Sequence, residues 1–228
     1  MNKKIINILC EGQSEQVFAL KVLKPFFLPY NIIVRANLLV TNRKFNAHGG
    51  IINYQQVKRD LHNMMCSTKD TLYEKNFYTS MFDLYALPQD FPGNTNSQLD
   101  PYSRVKMIED SFGLDIDNYR FVPYIELHEF ETLVLCNLSK VGQIYPNAQK
   151  QINALDKQWR KETNENAELV NSSRDTAPSK RLIKAVSGYY NYDKKFMAVE
   201  ATKDIGIESL RLQCRHFNQW IEKILNLK

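Results

Sequence analysis

Short apolar runs alternating with longer stretches of helical period dominate residues 1–136, and this alternation leaves few architectures open. Residues 4–10 form a continuous apolar run that stops at Glu11-Gly12, as a buried strand does before a tight turn into a helix. Ser14 is the expected N-cap of that helix, which runs to about residue 28 with Val17, Leu20, Val22, Leu23 and Phe27 largely on one face and a kink or early stop near Pro25. Residues 32–41 predict a second strand, 42–53 a polar loop, and 54–66 a helix facing Val57, Leu61, Met64 and Met65 inward. A third strand over 77–85, an irregular stretch over 88–102, a short helix over 103–112, a fourth strand over 120–127 and a helix through residue 136 follow. A β-α-β-α-β-α-β-α order implies an α/β fold, a largely parallel sheet flanked by helices, with little room for hairpins.

Beyond residue 136 the pattern is mostly helical. The expected organisation is a core over 1–136 and a helical, basic region over 137–228 packed on it. Residues 146–178 are polar and are expected at the surface; helices are predicted over 179–189 and 205–227, the second broken near Cys214. Charge supports the division. Residues 1–145 hold 15 Lys and Arg against 15 Asp and Glu, and residues 146–228 hold 15 against 10, so the net charge of +5 lies in the second part. A neutral first part beside a basic second part suits an acidic site next to a surface that attracts phosphates, and equally a solvated helical surface.

At 43% hydrophobic residues the chain can bury a sizeable core. Its first apolar run meets Glu11 too early for a secretion signal or a membrane span, so a cytoplasmic protein with no membrane partner is expected. Cys10, Cys66, Cys136 and Cys214 show no paired ligand spacing, which argues for reduced core thiols rather than zinc.

In parallel sheets ligands bind beyond the carboxyl ends of the strands. Glu11 ends the first strand, Asp83 lies at the end of the third, and Glu126, His128, Glu129 and Glu131 cluster after the fourth. Glu15, four residues after Glu11, can face the same pocket or simply favour the helix N-terminus. Asp83 taken alone could instead form a side-chain turn ahead of Pro88. Carboxylates gathered in one place repel unless a cation or shared protons neutralise them, and Mg²⁺ or Mn²⁺ takes such oxygen ligands. Glu11 and Asp83 are expected to hold the metal, with Glu129 or Glu131 completing its shell and Glu15 nearby. Lys180, Arg181 and Lys184, around a helix start at Pro178-Ser179, are candidate phosphate contacts, with Lys180 neutralising charge on the reacting phosphate. Tyr189, Tyr190 and Tyr192, interleaved with Lys184, Lys194 and Lys195, read as base-stacking candidates or as packing.

The segment 8–15, with Glu11-Gly12 closing the first strand, resembles the first motif of Toprim domains, and Phe82-Asp83-Leu84-Tyr85 falls where those domains place an Asp-x-Asp pair. The ordered set Asp83-Leu84-Tyr85, Leu87-Pro88, Phe91-Pro92-Gly93, residues 120–124, His128-Glu129-Phe130-Glu131 and Pro178-Ser179-Lys180-Arg181 resembles the bacterial domain-of-unknown-function family 4276. The resemblance implies a Toprim-like core similar to that of overcoming-lysogenisation-defect nucleases. It also implies Mg²⁺- or Mn²⁺-dependent cleavage of DNA or RNA, tRNA included, an ABC-type or AAA ATPase partner, and a role in phage defence; a homo-oligomer is compatible with it. Tyr85 stands where the pair has its second acid. Glu126, Glu129 or Glu131 then supplies the missing ligand, or the chain is a catalytically silent sensor or binding subunit of an ATPase complex.

Overall fold

The computed structural model describes residues 3–42, 47–48, 50–95, 98–171, 176–187 and 194–228. Strand β1 (Lys3–Cys10) is central, with β2 (Ile32–Leu38) parallel on one side and β5 (Glu74–Asp83) parallel on the other. Beyond β5 the edge is formed by β6 (Phe121–Val122) and β7 (Ile125–Glu126), both parallel to it. The expected fourth strand is interrupted because Pro123 has no N–H to donate. Ser80 bridges the break: its Oγ accepts from the Tyr124 N–H at 3.0 Å and donates to the Tyr124 carbonyl at 2.9 Å.

Alternation along the central strands creates two buried faces. Ile6, Ile8 and Cys10 of β1 and Phe77 and Met81 of β5 join one hydrophobic cluster, while Leu9, Tyr78 and Phe82 join the other. The first face is covered by α1 (Gln13–Phe18), which continues through a π-helical turn (Ala19–Leu23) into α2 (Lys24–Phe27). The second is covered by α3 (Tyr54–Ser67) and α4 (Pro101–Ile116). Helix α1 begins at Gln13 with Gly12 as its N-cap, so Ser14 lies inside the helix rather than capping it. Helix α4 starts earlier than the sequence suggests, because Asp100 accepts from the Tyr102 and Ser103 amides and Pro101 occupies the first turn.

Two expectations need correction. After β2 the chain forms a small antiparallel pair, β3 (Val40–Asn42) with β4 (Ala47–His48), where a continuous strand to 41 and little room for hairpins were expected. The stretch 146–178 is not simply surface. It contains α7 (Gln149–Thr163), whose Ile152, Leu155 and Trp159 recur at helical spacing and are buried, and it carries Glu168, which is fully buried.

The remaining elements are α5 (Glu131–Leu135), α6 (Leu138–Ile144), α8 (Pro178–Val186), α9 (Lys194–Ile205), α10 (Ile207–Gln213) and α11 (Arg215–Leu225), the last two separated at Cys214. They complete the first cluster, which runs continuously from Ile6 to Ile224. The result is an α/β fold with a parallel sheet flanked by helices and a helical C-terminal region that shares its core. Tyr189, Tyr190 and Tyr192 lie outside the described residues.

Candidate functional site

The chain leaves β1 towards β2 on one side and leaves β5 towards β6 on the other. The ends of β1 and β5 therefore flank the point where connections diverge, which opens a crevice in a sheet of this kind. Glu11 and Asp83 stand there. Backbone pairing extends past the strands, with the Glu11 N–H donating to the Met81 carbonyl at 3.1 Å, and the Glu11 Oε2 accepts from the Asp83 N–H at 3.0 Å. Asp83 Oδ1 accepts in turn from the Phe130 N–H at 2.9 Å, which ties the turn after β7 to the end of β5.

Glu15 and Glu129 reach the same place through different supports. Glu15 lies one turn into α1, and its Oε2 accepts from the Gly12 N–H at 2.8 Å. A Cβ at position 12 would stand 2.8 Å from that oxygen, so glycine leaves room for the carboxylate to fold back. Glu129 accepts from the Ser179 N–H and, at 3.0 Å, from the Ser179 hydroxyl, so it caps the first turn of α8. Glu131 begins α5 and is fully buried. Burial, together with the negative charges of Glu11, Glu15, Glu131 and Glu129, pushes the Asp83 carboxyl well above the usual carboxylate range. Five carboxyl groups from three strand ends and two helices thus act on one point.

Glu126 is the register partner of Asp83 in the β5–β7 pairing but turns its carboxyl onto Tyr124. Its Oε2 accepts from the Tyr124 hydroxyl at 2.7 Å within the core, and burial, with Glu168, Cys136 and Glu15 nearby, pushes its carboxyl well above the usual carboxylate range against the opposing Tyr124 hydrogen bond. His128 occupies the left-handed region at φ 68°, a conformation a histidine adopts only when its surroundings hold it there. Burial lowers its pKa to about 4, against a small opposing effect of the Glu168 backbone. Its ring packs on Tyr85 with centroids 5.5 Å apart, and the Tyr85 N–H donates to the His128 carbonyl at 3.2 Å.

The basic residues chosen from the sequence follow Ser179, the partner of Glu129, along α8. Lys180, Arg181 and Lys184 line a cavity of about 450 Å3 between α7 and α8, and none of the five carboxylates lines it. Arg181 is committed there to an ion pair with Glu162 at 2.6 Å and to the Thr176 carbonyl. The cation that acts on the strand ends is Arg104 of α4, whose charge affects both Tyr85 and His128. Sequence reading missed Arg104 because it lies on a helix whose facing is settled only by packing.

A second omission is a buried polar network under the site. Glu168 accepts from the His216 and Phe217 amides at the start of α11 and from the Tyr102 hydroxyl at 2.8 Å. His216 Nε2 lies 3.0 Å from Glu109 Oε1, which also accepts from the Ile125 N–H at 2.9 Å. Tyr124 stacks between His216 and Trp220, with centroids 5.2 and 4.3 Å away. The only signal for Glu168 was an acid within the polar stretch 146–178, which local pattern cannot separate from a surface residue.

Among the described residues no three His, Cys, Asp or Glu side chains stand in a ready-made metal-ligand arrangement. Glu15 and Glu129 are turned onto the backbone amides of Gly12 and Ser179. Comparison with curated proteins and with solved structures returned no match. The profile of the domain of unknown function DUF4276 matches residues 10–225, a span that includes Glu11, Asp83, Arg104, the 126–131 segment and α8, and the chain belongs to that family.

Proposed function

We propose that this protein is a Mg²⁺- or Mn²⁺-dependent nuclease with a Toprim-like core, cleaving phosphodiester bonds of DNA or RNA at the ends of β1 and β5. The observation that carries the reading is the convergence of Glu11, Glu15, Glu129 and Glu131 on Asp83 at the divergence point of a parallel sheet. An all-oxygen carboxylate donor set suits a hard divalent cation, and the mutual repulsion that raises the Asp83 pKa is what such a cation relieves. Glu11, Asp83 and Glu131 are the residues that would hold the ion, with Glu129 or Glu15 joining by leaving its backbone donor. Bound there, a divalent cation supplies Lewis-acid stabilisation of phosphoryl oxygens and lowers the pKa of water. The protein's own part is orientation: the Asp83 N–H fixes Glu11, the Phe130 N–H fixes Asp83, and buried Leu84, Leu127 and Phe130 limit access of bulk water. Lys180 and Lys184 would contact the nucleic-acid backbone away from the cleaved bond.

The wider setting rests on the family resemblance: a cytoplasmic effector in anti-phage defence, working with an ABC-type or AAA ATPase. A silent binding subunit of such a complex is favoured by one observation, Tyr85 in place of a second acid, joined by the engagement of Glu15 and Glu129 with Gly12 and Ser179. Calorimetric titration with Mn²⁺ separates the two. Binding that is lost in Glu11→Gln supports the nuclease, and its absence from the unaltered protein supports the silent subunit. Cleavage assays on DNA and total RNA, with and without the ATPase, then identify the substrate.

A further inference from the structure

Beside the carboxylates, Tyr85, Arg104 and His128 gather four buried polar atoms without a hydrogen bond of ordinary geometry. The Tyr85 hydroxyl, Arg104 Nε and both His128 ring nitrogens are shielded from water and have no hydrogen-bond partner of ordinary geometry among the described residues, although the His128 ring does feel the Glu168 backbone. Leaving one such group unpaired costs about 1–3 kcal/mol, and buried polar groups are rarely orphaned without a role. Such atoms on three neighbouring side chains exceed what packing explains.

The three side chains are built into one unit. Tyr85 lies in the turn after β5 and packs face to ring on His128, whose carbonyl accepts from the Tyr85 amide. Arg104 is fixed from the other side, its Nη2 donating to Asn94 Oδ1 at 3.0 Å, while Asn94 Nδ2 donates to the Pro88 carbonyl at 2.9 Å just beyond Tyr85. Gly93 allows this arrangement: at φ 74° it lies so close to α4 that a Cβ would stand 2.9 Å from the Met107 carbonyl. No ion pair to Arg104 occurs among the described residues, although acids crowd the neighbouring strand ends. Arg104 and Tyr85 are half-buried, so the unit opens on one side. Its unsatisfied atoms are mainly donors, a guanidinium N–H, a phenol and one imidazole N–H, and guanidinium forks match phosphate oxygens.

We infer that Tyr85, Arg104 and His128 form a phosphate subsite that binds a non-bridging phosphoryl oxygen of the nucleic acid next to the carboxylate cluster. This deepens the nuclease reading and rests on it for the identity of the substrate, but the subsite itself needs no metal. It also gives Tyr85 a use: where an Asp-x-Asp pair would place a second acid, this chain places a donor to the substrate.

The test measures binding of a short fluorescein-labelled single strand, in DNA and RNA versions, by anisotropy in EDTA and again in Ca²⁺, with a nucleoside monophosphate as competitor. Mn²⁺ binding is titrated separately without nucleic acid. Arg104→Ala is expected to weaken oligonucleotide binding about tenfold in both conditions, as loss of a charge-assisted hydrogen bond would. Arg104→Lys should recover only part of this, and Tyr85→Phe, which keeps the ring packing, should weaken binding a few-fold; Mn²⁺ binding should survive in all three. Should Arg104→Ala fail to fold, Tyr85→Phe and Arg104→Lys carry the same expectation. Competition by the monophosphate at the same affinity would make a free nucleotide the ligand, still through this subsite. Wild-type affinity in folded Tyr85 and Arg104 variants, or no binding by the unaltered protein, overturns the inference. Failure of the unaltered protein to bind Mn²⁺ overturns the metal reading instead.

Discussion

Glu11 is the side chain whose replacement says most, because it accepts a backbone hydrogen bond from Asp83 and adds charge to the cluster at once. Glu11→Gln keeps an acceptor for the Asp83 amide, so the expected outcome is an unchanged melting temperature with Mn²⁺ binding and cleavage abolished. A large fall in melting temperature would make Glu11 structural. Glu131 can be weighed against Asp83 in the same assay. Each single alanine should lower metal affinity strongly, and the double variant should lose little more than the worse single one, since groups that hold one ion act as a unit. Additive losses would indicate separate sites. Glu126 joins Tyr124 rather than Asp83, so Glu126→Gln should leave Mn²⁺ affinity unchanged.

At the scale of elements, Glu168 joins parts of the chain that sequence reading assigned to separate regions. Its carboxylate stands at the first turn of α11 and receives the Tyr102 hydroxyl from α4, so one fully buried group holds a C-terminal helix against a helix of the sheet layer. Glu168→Ala should lower unfolding free energy by about 3 kcal/mol in denaturant titration, because three donors lose a buried acceptor. Glu168→Gln, which keeps an acceptor, should cost less. Equal stability of the alanine variant would show that water replaces the carboxylate without loss. The packing of Gly93 against α4 is a smaller device of the same kind, with both its φ of 74° and the nearby Met107 carbonyl opposing any larger residue.

For the whole molecule, two sets of buried groups give stability opposite dependences on pH. His128 has a folded-state pKa lowered to about 4, so its contribution is present above the unfolded value near 6.5 and is lost as pH falls towards 4. The full shift is on the order of 3 kcal/mol, and His128→Gln should flatten the acid limb of a melting-temperature profile by a corresponding amount. Asp83 and Glu126 are raised, so their favourable contribution holds below the unfolded carboxylate value and is lost as pH rises through their folded-state values. The metal-free protein should therefore melt lower as pH rises above the unfolded carboxylate range, and Mg²⁺ should restore more stability at higher pH. An effect of Mg²⁺ that is independent of pH would separate the ion from Asp83. Since one hydrophobic cluster runs from Ile6 to Ile224, thermal unfolding should be a single transition, and residues 1–136 expressed alone should not fold.

The sequence by itself determined the order of strands and helices, the parallel sheet, the break at Cys214 and the acids at the strand ends. Strong local signals carry each of these: apolar runs at strand length, apolar residues at helical period, and Gly12 after Glu11. Tertiary structure decided what local signals leave undetermined. Pro123 divided the last strand, and Ile152, Leu155 and Trp159 drew a polar stretch into the core. Packing set Glu126 towards Tyr124 and left Glu129 and Glu131 with Asp83, a choice that strand alternation does not fix once the chain turns through His128 at positive φ. It also brought Arg104 to the site. Side-chain chemistry is written in the residue, but the direction in which a charge points depends on contacts between segments far apart in the chain, and those exist only after folding.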